Sequence, residues 1–294
     1  MTIKTLDFRG FSGIIAPLRS LTMFHLYGIR MHPMVQLALR TARSAVQNFQ
    51  RINERLDIAR KENTVQQLLE ETARSVEEYV IKQLTRAHPE HSFKSQYQRQ
   101  IPGKGEGKDI VWTVQAAHGW DNLSRSLPMA ALSISCEIKG KIEHVIVLNP
   151  FTGDEYTASR GRSAQLNGRR VRVSNQRAIE AGKYALPLPS LETRGRNFAL
   201  FMGLTQQIGQ VAESLHNSGC NLLDLLSTTA GFTDASVVYG VDENEMRIAA
   251  LFAKESGALI GAIDGSPNLP QDGNLILANP KMYKIVLQIA KNYQ

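Results

Sequence analysis

The sequence predicts an α+β domain built in layers rather than a doubly wound parallel sheet. Two observations carry this. Helical periodicity dominates residues 33–84 and strand-like periodicity dominates 131–173, so helices and strands arrive in blocks instead of alternating from the start. The chain has 294 residues, of which 43% are apolar and 21% charged, a balance with ample material for a buried core. Low-complexity, collagen-like and disulfide-scaffold classes are excluded on composition. At roughly 150 residues per domain the length suits one large or two ordinary domains.

Residues 1–30 carry one acidic residue, Asp7, against Lys4, Arg9, Arg19 and Arg30, and read as a flexible basic extension. The domain itself is expected over 31–294, with sub-lobes at about 31–180 and 181–294. From Pro33, a residue suited to a first helical turn, Val35, Ala38, Leu39, Ala42, Val46, Phe49 and Ile52 recur at spacings of three and four, which predicts one long amphipathic helix. A second helix begins near Thr64, where Thr64 and Gln67 have capping-box spacing, and stops at Pro89. Strands follow at Ala131–Ile138 and Ile142–Leu148 around a Lys139-Gly140-Lys141 turn, then at Glu155–Ser159 and Arg170–Val173, giving an antiparallel meander. In the second half, helices are expected over 197–216, 220–230 and 242–256, the last with Asp242 as cap and Gly257 as stop. Strands are read at Ala235–Tyr239, Ala258–Ile263 and Asn274–Ala278, and Asn279-Pro280 opens a final helix through Ala290.

Lys and Arg total 34 against 27 acidic residues, a formal charge of +7 that favours polyanionic partners. Arg160, Arg162, Arg169, Arg170 and Arg172 form a basic cluster whose alternatives are a solvated strand edge and a contact with nucleic acid or an acidic protein. Cys136 and Cys220 are far apart in apolar contexts, as expected of reduced, buried thiols in a cytoplasmic protein. No apolar run of about 18 residues predicts a membrane span. Gly103-Lys104-Gly105-Glu106-Gly107-Lys108 lacks the Gly-Lys-Ser/Thr ending of a phosphate loop and reads as a flexible connector. His88 and His91, at a helix end, read as capping or solvated residues rather than metal ligands.

The run Asn149-Pro150-Phe151-Thr152-Gly153-Asp154-Glu155, continuing Arg160-Gly161-Arg162-Ser163-Ala164-Gln165-Leu166-Asn167-Gly168, resembles the inositol monophosphatase family, and within it the bacterial SuhB-type branch. Gly219-Cys220-Asn221-Leu222-Leu223-Asp224-Leu225, Ala230-Gly231-Phe232-Thr233-Asp234 and the Met31-His32-Pro33-Met34 start extend the resemblance to about 31–290. It implies an α-β-α-β-α sandwich of the sugar phosphatase type, often dimeric, that hydrolyses phosphate monoesters with Mg²⁺. Mg²⁺ is a hard ion that takes oxygen ligands, and two such ions neutralise the phosphoryl group and generate hydroxide.

The chain departs from the family at those ligands. The family's glutamate pair falls on Gln96 and Tyr97. Its D-P-x-D-G-T motif falls on Gln115-Ala116-Ala117-His118-Gly119-Trp120, so both aspartates are replaced, by Gln115 and His118. A further aspartate aligns with Ala73, and a W-D pair becomes Asn244-Glu245. Only Glu245 keeps a carboxylate. The degenerate pocket is therefore expected at Gln96, Gln115, His118, Gly119, Trp120 and Glu245, with no catalytic residue and no metal or other cofactor. Backbone N–H groups after Gly119 could still hold an anion, or Trp120 could plug the pocket. The alternative is a Mg²⁺-dependent inositol-1-phosphate phosphatase with a rebuilt site, drawing on Asp109, Asp121, Asp242, Glu243 and Glu245. The resemblance implies a Nus-factor role for the SuhB-type branch, with RNA polymerase and NusA as partners in ribosomal RNA antitermination, and a homodimer. A basic surface would also suit RNA.

Overall fold

The computed structural model describes residues 31–50, 52–97, 100–266 and 268–293; the extension expected over 1–30 lies outside the described residues. The domain begins with α1 (Pro33–Ala45), a single turn α2 (Gln47–Gln50) and α3 (Ile52–Lys61). The expected long helix is thus broken at Val46, although its whole stripe from Val35 to Ile52 is buried. The break turns the chain while each segment keeps an apolar side inward. The second helix, α4 (Val65–Ala87), starts where expected, but the capping box does not form. Thr64 has φ −109° and ψ 17° and makes no side-chain cap bond, and Gln67 Nε2 donates instead to Glu71 Oε1 at 2.8 Å. An N-cap hydroxyl reaches its N–H from an extended backbone, which Thr64 lacks.

A seven-stranded sheet follows in the order β1 (Ser92–Ser95), β2 (Ile110–His118), β3 (Ala131–Ile138), β4 (Lys141–Leu148), β5 (Glu155–Ser159), β6 (Ala164–Leu166) and β7 (Arg169–Arg170), with the short helix α5 (Trp120–Ser124) between β2 and β3. From β2 onward every pairing is antiparallel, as the meander required, and β1 joins β2 in parallel. Strands β1 and β2 escaped the sequence reading because the inward positions of β2 are Trp112, Val114, Ala116 and His118, a row with too little apolar contrast. The expected strand at Arg170–Val173 shrinks to Arg169–Arg170. The glycine-rich segment is not a free connector: it holds a 3₁₀ turn, Lys104 N–H donates to Glu90 O at 2.8 Å, and a Cβ on Gly103 would lie 2.5 Å from that same oxygen.

The second half supplies β8 (Lys183–Ala185), α6 (Leu191–Gly209), β9 (Ser214–His216), α7 (Asn221–Thr229), β10 (Ala235–Val238), α8 (Glu243–Ser256), β11 (Leu259–Ala262), β12 (Leu275–Ala278) and α9 (Pro280–Ala290). The helix expected over 197–216 starts earlier and gives way to β9, a three-residue strand too short to show a period. The second sheet runs β11-β12-β10-β8-β9, antiparallel on one side of β10 and parallel on the other. Helices α1 and α4 cover one face of the first sheet; α7 and α8 lie between the sheets; α6 and α9 cover the outer face of the second. The shared helical layer buries Leu222, Leu226, Ile248 and Phe252 toward the first sheet, and Leu225, Ala249 and Ala253 toward the second. This is the α-β-α-β-α sandwich expected of the chain. Cys136 and Cys220 are both buried and unpaired.

Candidate functional site

The site lies where the C-terminal end of β2 meets the first turn of α8. Asp242 is the N-cap of α8, its side chain accepting from Glu245 N–H at 2.8 Å, and this sets Glu245 in the first turn. His118, the last residue of β2, is buried and spans between helix and sheet. Its Nδ1 lies 2.5 Å from Glu245 Oε1, and its Nε2 lies 2.8 Å from Ser133 Oγ on β3. An ionised carboxylate can only accept, so Nδ1 carries a proton toward Glu245.

Beside this array, Gln115 Oε1 accepts from Asn244 Nδ2 at 2.9 Å, and Gln115 Nε2 donates to Asp242 Oδ2 at 3.0 Å. Ser135 Oγ reaches Asn244 Oδ1 at 3.4 Å. Gln115, His118 and Glu245 therefore belong to one connected set of side chains, completed by Ser133, Asp242 and Asn244. Both Asp242 oxygens are engaged by protein donors, as is Glu245 Oε1.

Gly119 and Trp120 adjoin the set. Gly119 has φ 73°, and a Cβ there would meet Met129 O at 2.5 Å and Cys220 Cβ at 2.8 Å, so only glycine fits. Asn122 Nδ2 fixes the following turn by donating to Met129 O at 2.7 Å and Ser218 O at 2.9 Å. The Trp120 ring leans on Phe49 at 5.9 Å between centroids, its Nε1 buried without an acceptor among the described residues.

Gln96 is exposed, and its backbone N–H reaches Glu77, the carboxylate that also accepts from Ala116 N–H beside Gln115. Of the five acids available for a rebuilt site, Asp242, Glu243 and Glu245 share the start of α8, but among the described residues no three of the five bring their oxygens together. Asp109 sits at the other end of β2 from His118, about 25–30 Å along the strand at about 3.3 Å per residue. Asp121 and Glu243 are exposed.

Two carboxylates matter that the sequence reading passed over. Glu77 is fully buried on α4 and accepts from the N–H groups of Tyr97 and Ala116, each at 3.0 Å. Burial raises its pKa above the ordinary carboxylate value, against the hydrogen bonds that lower it. It sits four residues beyond Ala73 within an apolar helical stripe, a position where a charge signals a buried acceptor. Asp224, buried on α7, accepts from Ser218 N–H at 3.3 Å, and desolvation pushes its pKa up to about 6.

His88, Glu90 and His91 place three potential ligand atoms close together. His91 is buried rather than solvated, contrary to expectation, and Trp112 Nε1 donates to its Nδ1 at 2.9 Å. In a neutral imidazole that leaves the proton on Nε2, which faces Glu90 Oε1 at 3.2 Å. The nitrogen facing Glu90 is thus a donor and has no lone pair for a metal. The stacked His88 and His91 rings, 4.5 Å apart, extend the Trp112 core to the surface.

A model of the inositol monophosphatase family matches residues 30–294. The Nus factor SuhB of Pseudomonas aeruginosa is 35% identical over 259 residues, covering 87% of this chain and 95% of that protein. The Nus factor SuhB of Escherichia coli K12 is 26% identical over the same shares. Among solved structures, the extragenic suppressor protein SuhB of Bartonella henselae aligns with TM-score 0.74 and 23% identity, over 88% of this chain and 99% of that one. The inositol monophosphatase of Anabaena aligns with TM-score 0.72 and 19% identity, over 89% and 96%. With the layered fold, these matches place the chain in the inositol monophosphatase family, on its SuhB-type branch.

Proposed function

We propose that this chain is a non-hydrolytic member of its family that acts through its surface, as a Nus-factor-type scaffold. The observation that carries the reading is the hydrogen-bonded set His118–Glu245–Ser133 with Gln115–Asn244–Asp242. Mg²⁺ takes six oxygens in octahedral array, normally one or two free carboxylates together with phosphate oxygens and waters. Here Ala73, Gln96, Gln115 and His118 supply no carboxylate, and Glu245 Oε1 faces an imidazole N–H. The donor set does not fit Mg²⁺. An imidazole N–H stands in place of metal charge at Glu245 Oε1.

A partner surface supports the same reading. Leu191, Phe198 and Met202 lie along one face of α6 at spacings of seven and four, and Leu191 is 81% exposed. Leu188 precedes this stripe, and Val211, Leu215 and Phe232 are also exposed. Apolar exposure on this scale suits protein contacts, which in this reading are RNA polymerase, NusA and a second copy of the chain.

Phosphate release from inositol 1-phosphate with added Mg²⁺ tests the first half. The expectation is no turnover above background; robust, chelator-sensitive turnover overturns it and favours the phosphatase alternative. Affinity capture at low salt tests the second half, with RNA polymerase and NusA expected to co-purify and their absence counting against the scaffold.

A further inference from the structure

Residues 156–179 contain six arginines and no acidic residue. Arg160 is neutralised: its Nε donates to Glu143 Oε1 at 2.9 Å and its guanidinium also reaches Ile142 O. Three other nearby carboxylates are engaged too, and Glu180, three residues beyond Arg177, is exposed and forms no ion pair with it. Glu155 pairs with Arg43, Glu255 accepts from Gly161 and Ser163 N–H at 2.8 and 2.9 Å, and Asp154 accepts from Asn167 and Thr152. Arg169, Arg170, Arg172 and Arg177 are all exposed, and no carboxylate among the described residues pairs with them. No ion pair neutralises them, although Arg172 Nη1 lies beside Gly257 at the C-terminus of α8.

The local backbone arranges them in a row. β7 is the edge of the seven-stranded sheet. The chain continues extended beyond it, with Val171 N–H donating to Ala164 O at 3.0 Å and Val173 N–H to Ser256 O at 3.3 Å. Val171 packs against the core between the sheets, so alternation sends Arg170 and Arg172 outward on the same side, about 7 Å apart. Guanidinium groups bind phosphate oxygens in a fork. The only aromatic residue of 156–179 is Tyr156, which is buried, so no aromatic ring in the row stacks on bases.

We propose that the β7 edge, through Arg169, Arg170, Arg172 and Arg177, binds the phosphate backbone of a single-stranded nucleic acid without reading its sequence. This inference does not depend on the altered metal site or on the scaffold reading, and its failure leaves both untouched.

Fluorescence anisotropy of labelled oligouridylate and oligothymidylate against salt concentration, using the whole chain, tests it. Each phosphate contact to a single strand contributes about 0.7 to the slope of log affinity against log salt. The R169A/R170A/R172A variant should therefore lose about 2 from that slope and bind at least about tenfold more weakly at low salt. A K61A/K82A/R86A variant, with three exposed cations removed from α3 and α4, matches R169A/R170A/R172A in net charge and should bind like the parent. Thermal melting of both variants checks that they fold. Equal binding of the two oligonucleotides, or tighter binding of RNA, supports the proposal and identifies the source. Equal losses in the two variants would reduce the effect to net charge and overturn it. Binding of polyglutamate but of neither oligonucleotide would assign the surface to an acidic protein and overturn it likewise.

Discussion

His118 is the residue on which the site turns. Its ring joins a carboxylate on α8 to a hydroxyl on β3, and truncation would leave Glu245 partly buried without its partner. Removing one member of such a pair costs about 3 kcal/mol; urea denaturation of His118→Ala should show a loss of that order, and Glu245→Gln a smaller one. Which residues stand at the motif positions is legible in the sequence, because the run around Gly119 places Gln115 and His118 where the resemblance expects aspartates. Their new partners were not. That Gln115 would bridge Asn244 and Asp242 depends on the α8 N-terminus meeting β2, a contact between residues more than a hundred positions apart. Restoring carboxylates by Ala73→Asp, Gln115→Asp and His118→Asp together should create saturable Mn²⁺ binding by calorimetry where the parent has none. Two buried groups also give opposing pH dependence. Asp224 titrates near 6 when folded instead of near 3.8, so its contribution is present below pH 3.8 and lost as pH rises to 6. His144, stacked on His32 and bonded to Ser159, is lowered from 6.5 to about 4, chiefly by burial. Its contribution is present above pH 6.5 and lost as pH falls to 4. Asp224→Asn should make stability rise more steeply between pH 4 and 6 in chemical denaturation, and His144→Gln should do the reverse.

At the scale of elements, the N-terminus of α8 has two duties. Asp242 caps the helix and also anchors Gln115. Loss of an N-cap acceptor costs about 1 kcal/mol, so Asp242→Ala should cost at least that in equilibrium unfolding, and Asp242→Asn should recover most of it. The caps of α8 and α9 were legible because Asp242, Gly257 and Asn279 act on their own neighbours: Gly257 takes φ 85° and Asn279 accepts from Lys281 and Met282 N–H. Thr64 had the same sequence credentials and failed, since the α3–α4 turn imposes a different backbone. β2 was illegible for another reason. Its register breaks between Gln115 and His118, beside the Ala116 N–H that Glu77 receives, and neither feature has a local signature. Glu77→Ala leaves the Tyr97 and Ala116 N–H groups unsatisfied and should lower stability by about 2–3 kcal/mol, with amide exchange at Ala116 accelerated.

Over the whole molecule, two sheets share one helical layer, and that layer carries the site. Blocks of period 3.6 and period 2 made the layering readable before any contact was known, because burial on one side leaves its trace in every element. The sheet order and the parallel pairings of β1, β8 and β9 left no such trace, being set by which short strands meet at distance. The fold is kept intact around a set of side chains that hydrogen-bond to one another, which in our proposal replaces the family's metal chemistry, and the same fold leaves an apolar face and an arginine edge exposed. Calorimetric titration of the whole chain with Mn²⁺ and Mg²⁺, beside a Glu245→Gln control, tests the exchange most directly. Heats indistinguishable between the two proteins, with no saturable site, are predicted; a saturable site in the parent that disappears with Glu245 would contradict it.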